Sequence, residues 1–109
     1  MDNPLSLHQM ALMMLHDLAT SLESKNIADL EIEENVDQIQ IDVKNVGIYL
    51  LHFQSVRKEL WLSSPRLGAF HYRYDDSQGI WIDTRQKENE LKKSLSDDLS
   101  VALNHPMKL

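Results

Sequence analysis

Residues 59–68 read Glu59-Leu60-Trp61-Leu62-Ser63-Ser64-Pro65-Arg66-Leu67-Gly68, and the alternation at their start decides how the chain folds. Successive side chains of a strand point to opposite faces of a sheet. Leu60 and Leu62 therefore share a buried face, and Trp61 stands on the other, beside Glu59 and Ser63. A large aromatic among polar neighbours on a water-facing surface lowers solubility unless something docks on it. Tryptophan is also among the residues most enriched at the energetic centres of interfaces. The stretch announces a binding surface before it announces any reaction.

The same period of two continues on both sides. Leu30 and Ile32 alternate with Asp29, Glu31 and Glu33, so these three acids share one face of a first strand. Asn35-Val36-Asp37 is a turn that also takes in Glu34. Ile39, Ile41 and Val43 alternate with Gln38, Gln40 and Asp42, and Lys44-Asn45 turns the chain into a strand over 46–53. Downstream, Phe70, Tyr72 and Tyr74 alternate with Ala69, His71 and Arg73. Asp75-Asp76-Ser77-Gln78-Gly79 is a hairpin loop, and Ile80-Trp81-Ile82 closes the sheet. Parity alone leaves both faces open to Trp81.

At either end the period changes to that of a helix. Leu7, Ala11, Met14, Leu18 and Leu22 mark one over 5–24, with Pro4 just ahead where a helix start tolerates it. Met10, Leu12, Met13 and Leu15 widen its apolar stripe. Leu91, Leu95, Leu99, Ala102 and Leu103 mark a second over 87–104, with Asp83 and Gln86 spaced as a capping signature upstream. The expected fold is α+β: a two-layer α/β sandwich, one domain over 1–109. About six antiparallel strands carry the N- and C-terminal helices on one face and leave the other in water.

Composition narrows the function. No cysteine is present among the 109 residues, which excludes disulfides, thiolate metal sites and cysteine nucleophiles. The longest apolar run, Met10 to Leu15, falls far short of the ~20 residues of a spanning helix, so no membrane role is expected. The start of the chain carries no Arg or Lys, unlike a secretory or transit leader. The net charge of −6 is uneven: the first 37 residues hold eight acids against Lys25, the remainder ten bases against nine acids. The acidic end suits cations, and the sheet's middle, with Arg57, Lys58, Arg66 and Arg73, suits a polar or acidic protein partner. The cationic surplus is too small for nucleic acid.

Residues two apart on a strand are ~7 Å apart, so Asp29, Glu31 and Glu33, with Glu34 and Asp37 beyond, suit weak, exchangeable binding of cations such as Fe²⁺ through oxygen. The plain alternative is a charged edge that resists pairing with other sheets. His8 and His16 lie ~12 Å apart on a helix and cannot share an ion. His16 and Asp17 add weak ligands near the acidic end. No GxSxG frame or Gly-rich phosphate loop occurs. Around Trp61, the outward positions are Glu59, Gln54, His52, His71 and Arg73.

Leu60 to Gly68, the aromatic strand through Tyr72, and Gly79-Ile80-Trp81-Ile82 together resemble frataxin, and the resemblance covers nearly the whole chain. It implies an iron-binding protein that acts as iron donor and allosteric regulator of iron–sulfur cluster assembly, docking on the cysteine desulfurase–scaffold complex and modulating its sulfur transfer. It also implies weak binding of Fe²⁺ or Fe³⁺, iron donation that extends to ferrochelatase, and ferroxidase activity in some members. By position, Trp61 is the exposed tryptophan that meets the scaffold, and Gln54 a polar surface position of the motif. Glu59, His52 and His71 stand where the family has Gln, Asn and Arg. Asp17, Asp29 and Glu31 match acidic positions of the first helix and strand, while Met10, Met13 and Met14 take helix positions that are usually acidic. The expected compartment is the mitochondrial matrix or a mitochondrion-derived organelle, with the bacterial cytoplasm as the alternative. The rival functions are a ferroxidase or iron-storage protein, and a protein-interaction domain with little iron binding.

Overall fold

Ser6 opens the first helix by a reciprocal pair of bonds. Its hydroxyl accepts from the Gln9 backbone N–H at 3.1 Å, and its own N–H donates to the Gln9 side chain at 2.8 Å. This capping box satisfies two of the donors that a helix start leaves free. The computed structural model describes residues 6–109. Pro4 and Leu5, expected at the helix start, lie outside the described residues.

Helix α1 runs Leu7–Ser24 and buries Ala11, Leu15, Leu18, Ala19 and Leu22. Six strands follow: β1 Leu30–Asn35, β2 Gln38–Val43, β3 Gly47–Gln54, β4 Glu59–Ser64, β5 Gly68–Asp75 and β6 Ile80–Asp83. Helix α2 spans Leu91–Leu103. The strands form one sheet in the order β1-β2-β3-β4-β5-β6, each antiparallel to its sequence neighbour. Both helices pack on one face of it, as the core shows. Ile39, Ile41, Val43, Tyr49, Leu51, Leu60, Leu62, Tyr72 and Trp81 meet Leu15, Leu18, Leu22, Leu91, Leu95 and Leu99.

Trp81 is thereby settled as a core residue, with Tyr74 edge-on to it at 5.3 Å. Asp75 organises the expected hairpin loop by accepting from the Ser77 N–H, the Ser77 hydroxyl and the Gln78 amide. Gly47, at φ +138°, lies so close to Pro65 that an added Cβ would sit 2.8 Å from the ring. Only a residue without a side chain lets the β2–β3 turn pass under the β4–β5 turn there.

Four local expectations need correction. Helix α2 starts at Leu91, not near 87, with Glu90 as its N-cap. Asp83 does not cap it: its carboxylate accepts from the Arg85 N–H at 2.8 Å, turning the chain so that Glu90 bridges to Ile82 before the helix begins. Asp29 precedes β1 as a turn residue, and Glu34 lies within β1 rather than in the turn.

A polar cluster also ties the two layers together. Asp98 of α2 is buried, and its carboxylate accepts from the Tyr49 hydroxyl at 2.7 Å, the Ser64 hydroxyl at 2.6 Å and the Arg66 guanidinium. Ser64 in turn accepts from the backbone N–H groups of Arg66 and Leu67, at 3.2 and 3.1 Å. Burial, then the bond to Asp98, pushes the Tyr49 hydroxyl far above its ordinary value. The Ser64-Pro65-Arg66 part of the sequence signature is thus a structural rivet between β4 and α2.

Candidate functional site

The face of the sheet away from the helices carries Trp61. Antiparallel register sets His52 of β3 directly across from it on one side and His71 of β5 on the other. Directly opposed side chains touch. The His71 imidazole stacks on the indole at 4.2 Å and 10°, and His52 meets it edge-on at 5.8 Å. The indole is half-buried by these flanking rings and not by either helix. Gln54, on the same face, uses its carbonyl to accept from the Arg57 N–H at 3.0 Å, closing the turn between β3 and β4.

Glu59 departs from its expected role as an exposed polar neighbour. It lies on the open face, yet only 2% of it is exposed. Its Oε1 accepts from the indole Nε1 of Trp61 at 2.9 Å, its Oε2 from Arg73 at 2.7 Å, and His71 Nδ1 stands 3.8 Å from Oε1. Gln54, directly across from it on β3, completes its surroundings on that face. Burial pushes its carboxyl up, but the bonds from Trp61 and Arg73, and the Arg73 charge, outweigh that and hold it below the ordinary carboxylate range.

The acidic residues fall into two groups. Glu31 and Glu33 share the open face of β1, and Glu31 stands directly across from Asp42 of β2. Asp29, Glu31 and Asp42 line one shallow cleft with Lys44 and Asn45. Asp42 was legible only as a polar alternation; the register that opposes it to Glu31 depends on the β1–β2 turn. Like charges directly opposed are unfavourable, which a cation relieves. Glu34 has the other parity and reaches the helix layer, where His16 Nδ1 lies 2.7 Å from its Oε2. That bond and the Glu34 charge raise His16 above its ordinary pKa. Asp17 is exposed on α1 beside His16. Among the described residues, no three carboxylate or imidazole groups converge closely enough to grip an ion. His8 lies apart, stacked on Phe53 at 5.0 Å.

Residues 5–105 match the sequence model of the Frataxin-like domain. The chain is 26% identical over 87 residues to mitochondrial frataxin of Dictyostelium discoideum, covering 80% of this chain and 45% of that protein. It is 28% identical over 81 residues to the iron-sulfur cluster assembly protein CyaY of Delftia acidovorans, covering 74% and 71%. The chain thus spans about half the length of the mitochondrial relative. Among solved structures, frataxin from the yeast Saccharomyces cerevisiae complexed with ferrous iron is similar, with a TM-score of 0.78 at 22% identity, covering 95% of this chain and 91% of that one.

Proposed function

The chain belongs to the Frataxin-like domain family, and from that premise we propose that it serves iron–sulfur cluster assembly, docking on the cysteine desulfurase–scaffold complex through the Trp61 face and carrying iron weakly at its acidic end. The observation that carries the docking half is the indole on the side of the sheet the helices leave bare, ringed by His52, His71, Gln54 and the buried Glu59. A relative named for cluster assembly supports the pathway, and one structural neighbour complexed with ferrous iron supports the cargo.

Iron is the cargo here, held by Asp29 in the turn before β1, by Glu31 and Glu33 on the open face with Asp42 opposite, and by Glu34 and Asp17 near the helix. Oxygen donors suit Fe²⁺ and Fe³⁺, and donors spread along an edge give weak, exchangeable binding. Ferroxidase activity and donation to ferrochelatase are extensions of the same cargo role. The compartment that fits is the one where clusters are made: the mitochondrial matrix or a derived organelle, with the bacterial cytoplasm as the alternative.

Pull-down against a desulfurase–scaffold complex, with and without Fe²⁺, tests the reading. Wild-type protein is retained and Trp61→Ala is not. Equal retention of both removes the docking half. NMR titration with Fe²⁺ tests the cargo half: broadening concentrated at 29–42 supports it, and an unchanged spectrum leaves a protein-interaction domain with little iron binding.

A further inference from the structure

A carboxylate on an open sheet face ordinarily reaches for water, because desolvating it without partners is costly. Glu59 does the opposite. It is as secluded as a core residue, yet it lies on the face opposite the two helices. Both of its oxygens are occupied, one by the Trp61 indole N–H and one by Arg73. A residue so enclosed offers nothing to a partner until its cover is removed. Its position fixes one thing about the surface instead: where the indole lies.

A tryptophan side chain turns about two bonds, and a docking residue that is free to turn gives up that freedom on binding. Here the Nε1 bond pins one edge of the ring, and the parallel His71 imidazole supports one of its faces. Arg73 supplies the charge that lets the carboxylate stay ionised beneath them. We infer that Glu59 is a positioning residue, not a contact residue: it holds the Trp61 indole in its docking orientation before any partner arrives. The inference rests on the docking reading above for its consequence, but its physical claim concerns the free protein.

Two readouts separate the claim from a general structural role. The first is hydrogen exchange of the two indole N–H groups by NMR, with Trp81 in the core as an internal control. Glu59→Ala is expected to speed exchange at Trp61 about tenfold or more and leave Trp81 unchanged. Glu59→Gln keeps an acceptor and is expected to stay near wild type. The second is affinity for the desulfurase–scaffold complex, expected to fall about tenfold in Glu59→Ala and to be largely restored in Glu59→Gln. Unchanged exchange at Trp61 in Glu59→Ala, or an equal loss in both variants, overturns the inference. If Glu59→Ala fails to fold, Glu59→Met, which fills the space without an acceptor, takes its place, and unaltered Trp61 exchange in that variant is the overturning result. Should Trp61→Ala dock as well as wild type, the docking reading falls while the exchange measurement still decides the role of Glu59.

Discussion

The two faces of the sheet carry the same chemical device for different ends. On the helix side, Asp98 gathers a phenol, a hydroxyl and a guanidinium from Tyr49, Ser64 and Arg66. On the open side, Glu59 gathers an indole and a guanidinium from Trp61 and Arg73. Both carboxylates are buried. The first is covered by a second layer of the fold, so its bonds join layers. The second lies among neighbours on the open face, Gln54, Trp61, His71 and Arg73, so its bonds shape a surface. What a buried carboxylate does here depends on what encloses it.

Breaking each device should therefore damage a different property. The largest effect belongs to Asp98→Ala, which leaves the Tyr49 hydroxyl and Arg66 without their shared acceptor. Denaturant unfolding should show a loss of about 3–5 kcal/mol, with docking per folded molecule unchanged. Trp61→Ala is the converse, a loss of about 30-fold or more in affinity with little change in melting temperature. A stability loss at Trp61 as large as that at Asp98 would abolish the distinction. Adjacent serines sharpen it further. Ser64→Ala should cost about 1–3 kcal/mol, because it strips a bond from Asp98 and two backbone donors of theirs. Ser63→Ala, exposed on the open face, should stay within about 0.5 kcal/mol in the same unfolding experiment.

Acid gives the smallest effect. The Glu59 carboxyl is held below its ordinary range in the folded protein. Such a group stabilises the fold above its unfolded pKa, about 4.3, and that contribution is lost as pH falls from there through the lower folded value. Stability measured between pH 5 and 3 should therefore fall more steeply for wild type than for Glu59→Gln. Parallel curves would mean that ionisation of Glu59 adds nothing to stability.

Much of this was legible in the residues. The alternation of Leu60 and Leu62 set the face of Trp61 correctly, and period two located every strand within a residue or two, because buried faces leave that signal. The seclusion of Glu59 was not legible. Its cover comes from Arg73, 14 positions away, brought alongside by the register that the Ser64–Gly68 turn sets. Asp98 was invisible for the same reason: it sits among the leucines of α2, and its phenol partner lies 49 positions earlier. Glu34 was read as a turn residue, since its pairing with Ile39 depends on where the tight turn falls. The start of α2 was misjudged because Asp83 and Gln86 match a cap in spacing while the backbone there forms a bridge instead. Ser6 and Gln9 carried their capping box in plain spacing, beside the more conspicuous Pro4.

The strand order that follows the chain order has a kinetic consequence. Every ladder joins sequence neighbours, so each hairpin closes only a short loop. The clasp between Tyr49 and Asp98 must instead wait for a distant helix to arrive. In stopped-flow experiments, Asp98→Asn should accelerate disassembly and leave the refolding rate nearly untouched. The rivet that gives the molecule its durability would then be the last piece set and the first to give way.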